Sequence, residues 1–68
     1  MSNEKIVFYD AQNSGWSDPK HPSWFSTTGI NYNIKEEAEI VNERHKKNHK
    51  NAHIKYRILK TTVLREVV

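Results

Sequence analysis

Residues 33–51, NIKEEAEIVNERHKKNHKN, carry the one strong helical pattern in a chain of 68 residues. Ile34, Ala38 and Val41 recur at helical spacing and Ile40 widens their stripe, so one face is apolar and the rest polar. Asn33 is placed to cap the N-terminus, with Glu36 three positions on to complete a capping box. Glu36, Glu37 and Glu39 sit at the positive end of the helix dipole, and Lys46, Lys47 and Lys50 at the negative end. The stripe continues into His45 and Asn48, which offer no apolar anchor. The first half of this helix is therefore built for a core, and the second half is a basic surface.

On either side of the helix the pattern changes to strands. Residues 4–9, EKIVFY, are rich in β-branched and aromatic side chains, with Ile6 and Phe8 on one side and Val7 and Tyr9 on the other. Apolar residues on both faces mark a central strand. Residues 10–23 hold both prolines and several turn formers and read as a long connection. Trp16 within it is expected first as a lid over the core. The alternative is an exposed contact patch of Trp16, His21 and Trp24, since tryptophan is enriched at binding hot spots. Residues 24–28, WFSTT, form a second strand that ends at Gly29. Residues 53–59, HIKYRIL, alternate, with Ile54, Tyr56 and Ile58 towards the helix and Lys55 and Arg57 away from it. Residues 61–68, TTVLREVV, are strand-like again. Residues 60–62 contain no turn former, so one long bent strand and two shorter strands both stay open.

The resulting order is β-β-α-β with an optional final strand, all within a single small α+β domain spanning residues 1–68. It predicts an antiparallel or mixed sheet of three to four strands, the first strand in the middle and the helix packed on one face. The other face has no helix to cover it; Val7, Tyr9 and Leu59 are expected there beside Lys55 and Arg57. An apolar strand at residues 63–68 also calls for a neighbour, internal or from a second chain.

Composition narrows the function. Hydrophobic residues make up 35% of the chain and cysteine is absent, which removes disulfides and thiolate zinc sites. A core this small often has a supplement, and with disulfides removed oligomerisation is favoured over a metal. No apolar run has the length of a membrane span, and the first residues lack the order of a signal peptide; the expectation is a cytoplasmic protein with no membrane partner. There is no glycine-rich phosphate loop, and no carboxylate pair can be placed on one face with a histidine, so no catalytic residue is assigned and no enzyme is expected. No cofactor is expected either. His45 and His49 lie one helical turn apart and are the weak metal candidates; Arg44, Lys46, Lys47 and Lys50 around them would repel a cation.

Two surfaces remain. Trp16, Trp24, Lys55 and Arg57 are the candidates for binding a protein. Arg44, Lys46, Lys47, Lys50, Lys55 and Arg57 belong to a basic run without an acidic residue between Arg44 and Arg65, a footprint that suits nucleic acid. A homo-oligomer enclosing a small anionic ligand is a third reading.

Ala38, Val41 and Asn42 on the helix, followed by Tyr56, Arg57 and Ile58 on a strand, give the second half of the chain a recognisable look. It resembles small tailed-bacteriophage proteins in which a strand pair precedes a helix and a YRI-type strand. The resemblance implies a phage-encoded protein that binds a host enzyme or defence component in the host cytoplasm and modulates it.

Overall fold

A computed structural model of the chain describes residues 2–18, 20–50 and 53–68. β1 (Ser2–Asn13) is followed by β2 (Phe25–Tyr32), α1 (Lys35–Asn48) and β3 (Tyr56–Val67). The fold is α+β: among the described residues, a three-stranded antiparallel sheet in the order β2-β1-β3 with a single helix. The β-β-α-β order and the central position of the first strand are as the sequence predicts.

The strands are longer than their local signals. β1 and β3 pair without a register break from Ser2 opposite Val67 to Asn13 opposite Tyr56. Asp10, Ala11, Gln12 and Asn13, which read locally as the start of a loop, are strand because twelve residues of β3 offer them a continuous ladder. Of the two readings of the C-terminal stretch, the single long strand is correct: Lys60, Thr61 and Thr62 pair with Tyr9, Phe8 and Val7. β2 also runs past its predicted end. Gly29 does not terminate it but lies inside it at φ 72°, a backbone angle that glycine adopts without a steric cost. Four residues of β2, 27–30, bulge outward between the Gln12–Ser26 and Asp10–Asn31 pairs.

The helix departs from its signals at both ends. Its N-cap is Ile34, with no side-chain hydrogen bond, so the predicted Asn33–Glu36 capping box is not made. Glu36 and Glu37 in the first turn and His45, Lys46 and Lys47 in the last still complement the dipole. At the other end the His49 N–H closes a tight turn on the Lys46 carbonyl at 3.2 Å. The predicted helical residue Asn51 lies outside the described residues, as does Pro19 of the connecting loop.

Alternation along the ladder fixes which side chains meet the helix. Ala11, Asn13, Tyr56 and Ile58 share the covered face, with Ala11 fully buried against α1, whose own buried residues are Ala38 and Asn42. Ile34 and Ile40, expected in the stripe, are each 52% exposed; the contact line runs through Ala38, Val41, Asn42 and His45 instead. Two small residues at the centre let the helix approach closely, and the larger isoleucines are displaced to its flanks. The same alternation corrects the open face. Val7 and Tyr9 lie on Ala11's side of the sheet, whereas Arg57 and Leu59 are on the opposite side with Ile6, Phe8, Asp10 and Gln12. Nor does Trp16 cover the core: at 81% exposure it stands out in solvent.

What joins helix to sheet is largely polar. The Asn42 amide donates to the Arg57 carbonyl at 3.1 Å, and its side-chain oxygen accepts from the Thr27 hydroxyl at 2.9 Å. That hydroxyl accepts in turn from Asn13 at 3.0 Å, and the Asn13 side-chain oxygen takes the Gly15 N–H at 2.9 Å. One chain of hydrogen bonds thus ties α1 to all three strands. Ser14 extends it: its N–H donates to the Lys55 carbonyl and its hydroxyl accepts from the Lys55 N–H, both at 2.9 Å. Among the described residues no buried side-chain polar atom lacks a partner.

The helix spans only part of the sheet, so the ribbon formed by residues 2–8 and 61–67 projects beyond it. The molecule measures 52 × 24 × 14 Å. Its radius of gyration is 14.9 Å, against about 11 Å for a compact chain of this length.

Truncating Asn42 to alanine strands the Arg57 carbonyl and the Thr27 hydroxyl together, and should lower unfolding stability by about 2 kcal/mol. Ile40→Ala, half in solvent, should cost well under half as much. Urea denaturation of the two variants beside the wild type measures the difference.

Candidate functional site

The sheet face opposite the helix carries the most organised group of exposed side chains. Even-numbered residues of β1 and odd-numbered residues of β3 build it. Trp24 precedes β2, and the Arg57 guanidinium lies 4.2 Å from its ring centre, a cation–π contact worth about 0.5–1 kcal/mol at such a site. The Arg57 Nε–H donates to the Gln12 side-chain oxygen at 2.7 Å. Gln12 Nε2 donates to Asp10 Oδ2 at 2.9 Å, and the Ser26 hydroxyl donates to Asp10 Oδ1 at 2.7 Å. Ser26 in turn accepts from the Gly29 N–H at 2.9 Å, which binds the bulge of β2 into the same network. Arg57 is therefore held on two sides, by a ring and by a directed hydrogen bond, before anything binds. Holding an arginine in one orientation reduces the entropy lost on contact.

An apolar row adjoins this polar group. Ile6 pairs with Val63 and Phe8 with Thr61 on the same face, and Leu59 stands between them and Arg57. Ile6, Phe8 and Val63 are half-buried by their neighbours in the ribbon, while Leu59 is 41% exposed. No pocket opens among the described residues. The face is an aromatic–arginine corner beside a shallow apolar strip.

Of the residues singled out from sequence for protein binding, Trp24 and Arg57 come together. Trp16 makes no ring contact with Trp24 among the described residues, and Lys55 is held at the strand margin through its backbone bonds to Ser14. Asp10, Gln12 and Ser26 complete the site and are missing from the sequence reading. Their signal was the period of two running on from Ile6 and Phe8 through Asp10 to Gln12, hidden by the turn-forming composition of that segment.

The basic candidates for nucleic acid divide between two faces. Arg44, Lys46, Lys47 and Lys50 are exposed on or just beyond the end of α1, while the Arg57 side chain lies across the sheet from them. They do not form one stripe.

His45 and His49, the metal candidates, stack with ring centres 4.2 Å apart. His45 Nδ1 meets the Tyr56 hydroxyl at 2.7 Å, and His49 Nδ1 donates to the His45 carbonyl at 2.9 Å. Among the described residues no third ligand joins them. Burial, and secondarily the charge of His49, lowers the His45 pKa below its usual 6.5; burial raises that of Tyr56. The His45–Tyr56 hydrogen bond clamps the end of α1 to the start of β3.

Comparison with protein-family models, with curated proteins and with solved structures finds no match to the chain.

Because the folded state takes up a proton at His45 less readily than the unfolded chain, this group's contribution is complete above pH 6.5. It is lost as pH falls through the depressed folded value. The urea midpoint of the wild type should therefore drop in that window, and His45→Asn should flatten the dependence.

Proposed function

We propose that this protein is a non-enzymatic binding module that contacts a protein partner through the uncovered face of its sheet, centred on Trp24 and Arg57. The observation that carries this reading is the fixed Arg57: stacked on Trp24 and hydrogen-bonded to Gln12 on a face that no helix covers among the described residues. Tryptophan and arginine are the residues most enriched among those that dominate interface energetics. A shallow face with an apolar strip suits a macromolecular partner better than a small ligand, which favours enclosure. The likeness of the second half of the chain to small phage proteins makes a host protein the expected class of partner, bound and modulated in the host cytoplasm.

Nucleic acid is the weaker reading. The helix-end cations Arg44, Lys46, Lys47 and Lys50 lie on a different surface from Arg57, so a bound strand would have to bend around the molecule's edge to use both.

Affinity capture from bacterial lysate with the wild type, Arg57→Glu and Trp24→Ala tests the proposal. A stoichiometric protein retained by the wild type should fall at least tenfold with either variant, while both variants keep a cooperative unfolding transition. Equal retention by all three would remove the open face from consideration. A mobility shift that falls steeply with salt and is abolished by neutralising Lys46, Lys47 and Lys50 would instead favour nucleic acid.

A further inference from the structure

The two edges of the sheet are not alike. β2 is short, bulged across residues 27–30 and turned by Gly29, all features that keep an edge from pairing with another strand. β3 is twelve residues long, keeps one register with β1 throughout and contains no proline or glycine. α1 packs mainly over β1 and β2 and reaches β3 near its start, through Tyr56 and the Arg57 carbonyl. Over the rest of its length the outer edge of β3 has no strand beside it among the described residues. β3 carries three exposed apolar side chains along this length, Leu64 at 74%, Val67 at 43% and Leu59 at 41% exposure.

Area points to the size of what is missing. The chain exposes 5394 Å², whereas a compact monomer of its 8.0 kDa should expose about 4,450 Å². The excess, about 900 Å², matches the roughly 800 Å² that each partner contributes to an interface of standard size.

We infer that β3 pairs antiparallel with β3 of a second copy of this chain, about a two-fold axis through Val63, to give a six-stranded sheet. The sequence of β3 selects that register. With Val63 opposite its own mate, Lys60 faces the second copy's Glu66 and Leu59 faces its Val67; the two-fold repeats both contacts. An opposite-charge pair and an apolar pair are thus each made twice, both favourable across a strand pair, while Thr61 and Thr62 face Arg65 and Leu64. Moving the axis by one residue to Thr62 sets Leu59 opposite Arg65 and Lys60 opposite Leu64, and both matches are lost. Moving it to Leu64 sets Lys60 opposite Val68. Of these three alignments only the one centred on Val63 makes both matches, and it closes as a two-fold interface. This inference is independent of the partner proposed for the open face.

Sedimentation velocity on the wild type should show a particle of about twice the monomer mass. Lys60→Glu should weaken the dimer about tenfold by setting like charges opposite each other twice, and adding Glu66→Lys should restore it. The chain has no cysteine of its own, so single thiols report the register. Val63→Cys should cross-link to itself on mild oxidation, the two Cα atoms being within disulfide reach. Thr61→Cys, on the same face, should not, since the two copies would lie about 14 Å apart. A wild type that stays monomeric at several hundred micromolar overturns the inference. So does a dimer in which Thr61→Cys cross-links as readily as Val63→Cys, or one indifferent to charge reversal.

Discussion

The structure depends on the side chain of Asn42. Placed where a helix of this type would ordinarily carry leucine, it bridges the carbonyl of β3 and the hydroxyl of Thr27 on β2, and through Asn13 it reaches β1. A buried polar group without partners costs a few kcal/mol, and the same group fully bonded fixes a single geometry. With Ala11 and Ala38 as the fully buried apolar residues described, hydrophobic area alone does little to specify how the helix sits on the sheet. The hydrogen bonds do. This also explains why Val41 and Asn42, adjacent in sequence, both point inward while Ile40 faces outward: the helix is rotated to serve its amide.

The sequence made the element order, the central first strand and the inward-facing Tyr56 legible, because each rests on local periodicity. It made the extent of the strands illegible. Asp10 to Asn13 have poor strand propensity taken alone, and they are strand because of partners forty-three or more positions away in β3. The stripe on the helix misled for a related reason. Hydrophobic periodicity assumes an apolar core, and here the central contact is an amide, so Ile34 and Ile40 counted for more in the pattern than they do in the packing. Asn33 failed as a cap because the helix begins two residues later, at Lys35.

The site followed the same division. Trp24 and Arg57 were singled out from residue type together with Trp16 and Lys55, and residue type alone did not separate the four. The union of Trp24 and Arg57 was not legible, because it depends on the strand register that brings Gln12 beside Arg57 and Asp10 beside Ser26. The polar network is a product of the long β1–β3 ladder. That ladder joins the first and last strands of the chain, so its contacts are among the most distant in sequence, and the central strand gains its second neighbour only when the rest of the chain has been laid down.

The bulge of β2 has a bearing on how large an assembly can become. A sheet with two open edges can add strands from both sides, and a contact that joins one edge to the other propagates into a fibre. Here residues 27–30 spoil one edge, and Ser26 fastens the distortion to Asp10 so that it cannot straighten without breaking two hydrogen bonds. Growth through β3 would place a β2 at each outer margin and stop. Gly29, which among the described residues has no contact to make within 4 Å of where its side chain would be, thereby acts as a terminator: a residue whose value lies in the strand that cannot form beside it.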